Sequence, residues 1–303
     1  MPILSSAGLF DILTNFLLGQ CDQPNLVEDR HKVATVLWLC TQTYDSQASI
    51  ACKYLKEIMK TALILTGQPR FTRDFSLQLD QITSPEPIDL WCLFWLPEEL
   101  NADNLKRSQR WIPPSWPWDP KQAHDWLSSR LPPHVRLARV GFIDPQAFPI
   151  VKEYPEFYCN GLTLWRQYQC LAAMEQWLPR NYDMIIRSRA DLALLTPVDL
   201  AKAYQVLEAH PRRLILPDTG RSARGFCDQW NLGLDPTMRI YMQVVKSFDQ
   251  AVATGIPFNA EHMISWRLQD EGIEWPQSGI RHQLRMSGQG SATDFLPDWG
   301  IWC

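Results

Sequence analysis

The spacing of apolar residues changes near residue 59. Ahead of that point they recur at helical intervals. One set is Val33, Val36, Leu37 and Cys40, and another is Ile50, Tyr54, Leu55 and Ile58, with Asp45 or Ser46 as a cap. Residues 1–58 are therefore expected to be a helical N-terminal extension. It is either a small helical cap or a segment placed before an older start, since Met59 opens MKTALILTGQPR. From Thr61 onward short apolar runs alternate with helical stretches. TALIL, IDLWCLFW, VRLARVGFI, MII and RLILPD read as strands, and GFCDQWNLGL reads as a loop entering another. Residues Phe71 to Ile82, Ala123 to Arg130, Leu162 to Leu178, 237–253 and 260–271 read as helices. This alternation predicts an α/β domain over residues 59–303, with a mostly parallel, Rossmann-like sheet flanked by helices.

Ligands of such sheets bind beyond the carboxyl ends of the strands. The polar residues of this chain gather at those ends: Gly67-Gln68-Pro69-Arg70, Arg187 to Asp191, and Asp218 onward. Charge and composition narrow the function. A net charge of -4 without a basic run argues against nucleic acid and anionic membrane as partners. The apolar runs Ala34 to Cys40 and Ile88 to Pro97 are too short for a transmembrane segment. Leu9 to Leu18 has neither the basic start nor the cleavage site of a signal peptide. The eight cysteines form no C-x-x-C, and Cys40, Cys92 and Cys170 read as small buried hydrophobes, which fits a cytoplasmic setting. P-loop, dinucleotide, nucleophile-elbow and zinc-protease motifs are all missing.

The stretch RNYDMIIRSRADLAL, residues 180–194, ends an apolar strand on charge. Arg187, Arg189 and Asp191 stand at alternate positions and would share one face of an extended chain. Two readings follow. One is an Arg–Asp ion pair that pins the sheet edge. The other is a diphosphate site, where guanidinium forks take phosphate oxygens and Asp191 holds a divalent metal such as Mn or Mg. Gly67 permits a tight turn with close ligand approach, and Arg70 follows it as a cation within reach of a phosphate. Asp228, Gln229 and Asn231 are either a polar loop or an acceptor site where Asp228 orients or deprotonates a hydroxyl. Glu261 is a first-turn helix acid or a functional one, and His282 is read as a surface residue. RWIPPSWPWDP, residues 110–120, is a loop packed by its own aromatics or a stacking face for a sugar or base.

Taken in order, TALILTGQPR, DLWCLFW, YDMIIRSRADLAL, LILPD and GFCDQWNLG resemble GT-A-type nucleotide-sugar glycosyltransferases. The likeness is to bacterial and viral families with the pattern RGQxR … YDxVIRxRxDL … NDQFAxG, and it covers residues 59–275. It implies a GT-A-like fold and a hexosyltransferase-type enzyme. Such an enzyme moves a sugar from a nucleoside diphosphate sugar to a hydroxyl acceptor, often a glycan, as in surface polysaccharide biosynthesis. The resemblance puts Gly67 and Arg70 against the nucleotide and Asp228 near the acceptor. In the metal-binding D-x-D position stands Arg189-Ala190-Asp191: the second acid is kept and the first is an arginine. Cys227 replaces the family's Asn. The rival readings are a catalytically silent sugar-binding or scaffold protein on the same fold, and a nucleotidyltransferase.

Overall fold

Strands buried on both faces cannot alternate apolar with polar, and TALIL, IDLWCLFW and MII form such a layer, with VRLARVGFI at its partly exposed edge. The computed structural model describes residues 59–71, 75–96, 112, 115–144, 147–148, 161–218, 226–276 and 278–284. All of them belong to a compact unit that spans Glu57–Cys303, and the expected helices of residues 1–58 lie outside the described residues. In the sheet, β1 (Thr61–Gly67), β3 (Ile88–Trp95), β4 (Val135–Ile143) and β5 (Met184–Ser188) run parallel. The order is β4-β3-β1-β5-β9-β8, with β9 (Asn231–Leu234) antiparallel to both β5 and β8 (Leu214–Ile215). The fold is therefore mixed α/β with a mostly parallel central sheet flanked by helices, as the alternation predicts. The strand expected at RLILPD shrinks to two residues.

Side chains of the sheet divide between two cores. Leu63, Leu65, Leu90, Cys92, Met184 and Ile186 pack on one side, against helices Phe75–Asp80, Pro120–Ser128 and Leu200–Ala209. Ala62, Ile64, Leu93 and Ile185 pack on the other, against Gly161–Trp177, Asp235–Met242, Phe248–Ala253 and Ala260–Asp270. Helix starts follow local signals. Asp119 accepts from the Gln122 amide ahead of Pro120, and Asp199 accepts from the Lys202 amide. The helix expected over Phe71 to Ile82 is shorter, Phe75–Asp80. Phe71 instead enters an aromatic cluster: it stacks on Trp116 at 5.0 Å and meets Phe75 and Phe94 edge-on. Trp116, from the Trp/Pro loop, is thus a core residue, 4% exposed. The helical stretch 237–253 breaks into Asp235–Met242, a 3-10 turn at Val244–Ser247, and Phe248–Ala253.

Short extra pairings tie the edges. Ile82–Thr83 (β2) runs parallel to Val198–Asp199 (β7), and His282–Leu284 (β10) runs antiparallel to Leu192–Leu194 (β6). Cys92, Cys170 and Cys227 are buried free thiols. No helix among the described residues is long and apolar enough to cross a membrane.

A single guanidinium joins two helices of the second core. Arg239 donates to both Asp235 oxygens at 3.0 and 2.9 Å, to Glu175 Oε1 at 3.1 Å, and to the Glu175 and Pro179 carbonyls. Glu175 is itself 4% exposed. Arg239→Ala would leave that carboxylate buried without its main partner, so unfolding in urea is expected to show a loss of about 3–5 kcal/mol. Adding Glu175→Gln is expected to recover part of it, because the stranded charge is then gone.

Candidate active site

Parallel strands bring their carboxyl ends to one edge, and β9, entering in reverse, starts at the same edge. Arg187 on β5 pairs with Ile64 on one side and Asn231 on the other, so the loop carrying Cys227 to Trp230 lies beside the end of β5. The loops after β1 and β5 complete the edge. Gly67 has φ 100°, the left-handed region that favours glycine, and no heavy atom lies within 4 Å of where a Cβ would stand. This turn swings Arg70 toward β5, and its Nε donates to Gln68 Oε1 at 2.6 Å.

β5 ends at Ser188, and Ala190 and Asp191 occupy a turn. The two-residue alternation read across Arg187, Arg189 and Asp191 therefore stops at the strand's end, and the three residues separate into two groups. Outside, Arg189 clamps Asp191 through Nε–Oδ1 and Nη2–Oδ2, both 2.8 Å, and Arg70 Nη1 stands 4.0 Å from Asp191 Oδ2. Burial alone would raise the Asp191 carboxyl, but the two guanidinium groups outweigh it and hold it below its ordinary range. From the opposite layer Gln78 fixes the turn, donating to Ser188 Oγ at 2.8 Å.

Inside lies Arg187, 1% exposed, on the face covered by Gly161–Trp177 and Asp235–Met242. Its Nε and Nη1 have no hydrogen-bond partner among the described residues, and the same holds for the buried Tyr241 hydroxyl and Asn231 Oδ1. Charge comes from Asp228, 8% exposed, which accepts from the Tyr168 hydroxyl at 3.3 Å and interacts electrostatically with Arg187. Asn231 donates to the Cys227 carbonyl at 2.9 Å and so holds the bend that presents Asp228.

The six residues singled out in the sequence thus all lie at one edge. Gly67, Arg70, Arg189 and Asp191 form its outer part, and Arg187 and Asp228 its inner part. Three more residues join them. His282, read as a surface residue, is partly buried, with Nε2 2.8 Å from Gln229 Oε1 and 3.6 Å from Cys227 Sγ. Burial, with Arg189 nearby, lowers its pKa to about 4 against the opposing pull of Asp228. Glu261 is raised to about 7 by burial and by the Asp228 charge. Tyr168 carries a hydroxyl into the site from a helix face that reads as core. By contrast, Asp218 is structural, its oxygens accepting from the Ser278 and Gly279 amides at 2.8 Å.

A divalent metal fits this donor set poorly. Hard cations take several oxygen ligands, yet both Asp191 oxygens already accept from Arg189. No group of three or more His, Cys, Asp or Glu among the described residues is placed to hold a metal.

No protein-family model and no curated protein matches the chain. Among solved structures the chain is similar to mouse xyloside xylosyltransferase 1 in its apo form, at 12% identity and a TM-score of 0.38. That match covers 73% of this chain and 84% of the other.

Glu261 and His282 make stability depend on pH in opposite senses. Glu261 binds its proton more tightly in the folded state, about 7 against 4.5, so its contribution is full below 4.5 and is lost as pH rises through 7. His282 binds its proton less tightly when folded, about 4 against 6.5, so its contribution is full above 6.5 and is lost as pH falls to 4. Each slope is at most about 1.4 kcal/mol per pH unit, and in the wild type they offset each other. Thermal unfolding at stepped pH is expected to show Glu261→Gln losing stability on acidification from 6.5 to 4.5, and His282→Gln gaining it over the same range.

Proposed function

We propose that this protein is a GT-A-like glycosyltransferase that moves a sugar from a nucleoside diphosphate sugar to a hydroxyl acceptor, in the synthesis of a surface glycan. The observation that carries the reading is the convergence of three loops on one sheet edge, with a cationic outer part beside a carboxylate-bearing inner part. A departing nucleoside diphosphate needs its negative charge met by donors already in place. Arg70 and Arg189 supply such donors on the outer side, and forked guanidinium groups suit phosphate oxygens. Asp191 sets the orientation of Arg189. Gly67 leaves room for the nucleotide beside the backbone. Arg187, sealed beneath, acts through its charge on Asp228. Asp228 stands on the acceptor side, where it orients or deprotonates the hydroxyl. No step is routed through a metal in this reading, because both Asp191 oxygens are engaged by Arg189.

The closed Arg189–Asp191 clamp favours a second reading, a catalytically silent sugar-binding or scaffold protein on the same fold, in which that pair simply pins the sheet edge. Thermal unfolding with UDP, GDP, CDP, dTDP and CMP, each with and without Mn²⁺, separates the two. One nucleoside diphosphate at a hundredfold excess over its Kd is expected to raise the midpoint by about 5–10 °C. The shift should shrink in Arg70→Ala and should not require Mn²⁺. No shift with any nucleotide would leave the silent protein standing.

A further inference from the structure

The long helix Gly161–Trp177 has two faces of different chemistry. Leu164, Tyr168, Leu171 and Met174 are buried in the second core. Trp165, Gln169, Ala173 and Gln176 recur at i, i+4, i+8 and i+11, so they form a separate stripe along the helix. That stripe is one wall of a cleft of about 260 Å³. Lys246, in the 3-10 turn Val244–Ser247, and Asp249, in the first turn of Phe248–Ala253, stand on the other wall. None of these six residues belongs to the sheet edge described above. Gln176, Lys246 and Asp249 are exposed, so the cleft opens to solvent. Ala173, one turn from both Gln169 and Gln176, has only a methyl group and leaves the cleft its depth. Two of the lining groups are held in place by neighbours. The Trp165 ring packs on Phe248 at 6.3 Å, and Lys246 Nζ donates to Gln243 Oε1 at 3.0 Å.

We propose that this cleft holds one pyranose ring of a neutral glycan, at a site apart from the sheet edge. Its volume lies below the range of about 300–1,000 Å³ that drug-sized ligands fill, so it takes a single ring and not a nucleotide sugar. The lining selects the kind of ring. An indole offers a flat apolar face to the C–H side of a pyranose. Sugar hydroxyls both donate and accept, and the amides of Gln169 and Gln176 do the same, while Lys246 donates and Asp249 accepts. One cation and one carboxylate sum to zero, which argues against an anionic ligand such as a phosphate or a nucleotide. A wholly apolar ligand would strip water from these four polar groups and return no hydrogen bonds. The site goes beyond sugar transfer and does not depend on it. In a transferase it grips a glycan at a second point; in a silent protein it is the sugar-binding site itself.

Saturation-transfer NMR and calorimetric titration of the full chain test this, with cellotetraose, xylotetraose, maltotetraose, mannotetraose and chitotetraose as probes. At least one is expected to bind, with its ring C–H protons receiving saturation from indole protons. Trp165→Ala should weaken that binding about tenfold or more, and Trp165→Phe should keep most of it. Trp165 also packs on Phe248, so a second variant separates binding from packing. Ala173→Met fills the cleft with a good helix former and should weaken the glycan about tenfold as well, with circular dichroism unchanged. A rise in unfolding midpoint caused by a nucleoside diphosphate should be the same in Ala173→Met as in the wild type. Failure of this site and failure of sugar transfer are therefore read separately. No binding by any of the tetrasaccharides, or a glycan Kd unchanged in Ala173→Met, overturns the proposal.

Discussion

A guanidinium sealed inside the sheet–helix interface is the constraint that shapes this site. Arg187 sits in the middle of the sheet at 1% exposure, where an uncompensated charge would cost several kcal/mol. Its neighbours answer that demand. The helix over it turns Tyr168 inward where an aliphatic residue would otherwise pack, the next presents Tyr241, and the loop before β9 brings Asp228. No ion pair closes between Arg187 and Asp228, so compensation is spread over a field of hydroxyls and one carboxylate. The spread arrangement keeps both charges poised at the edge where the strands open.

The outer group obeys different physics. Arg189 and Asp191 form a forked pair at 2.8 Å in a turn, with Arg70 at 4.0 Å and partly open to solvent. Here two guanidinium groups face one carboxylate, which leaves one positive charge in excess. The inner group, with Arg187 against Asp228, is balanced once Glu261 and His282 are neutral. The outer part of the edge therefore carries net positive charge and the inner part carries none. Preorganised charge of this kind acts strongly where water is scarce.

Much of this was legible in the sequence, for a definable reason. The strands TALIL, IDLWCLFW and MII are buried on both faces or nearly so, and continuous apolar runs of that kind mark themselves, while VRLARVGFI is the partly exposed edge strand. Their loops then fall at the carboxyl edge by the rules of parallel sheets, which is how Arg70, Arg189, Asp191 and Asp228 came to stand together. What the residues alone could not tell was where β5 stops. Alternation holds only within a strand, and the turn after Ser188 split three charges that look equivalent in the text. His282 was hidden for another reason: its partners Gln229 and Cys227 are 53 and 55 residues away, and no local pattern encodes that meeting. Tyr168 reads as one more apolar position on a helix. Phe71 reads as helical because its cluster with Trp116 depends on a loop folding back across the sheet.

Asp228 is the one group that both halves of the site share. Its charge raises the proton affinity of Glu261 and of His282 alike, yet the two end on opposite sides of their ordinary values. Burial explains the difference, because it always favours the neutral form: the proton stays on a carboxyl and leaves an imidazole. Arg189 pushes His282 further the same way. The imidazole is thus kept neutral between the cationic outer group and Asp228, with Nε2 held at Gln229. A charged histidine there would spread positive charge across the inner part and would compete with Arg187 for Asp228. Its neutrality keeps the excess positive charge of Arg70 and Arg189 from extending to Asp228.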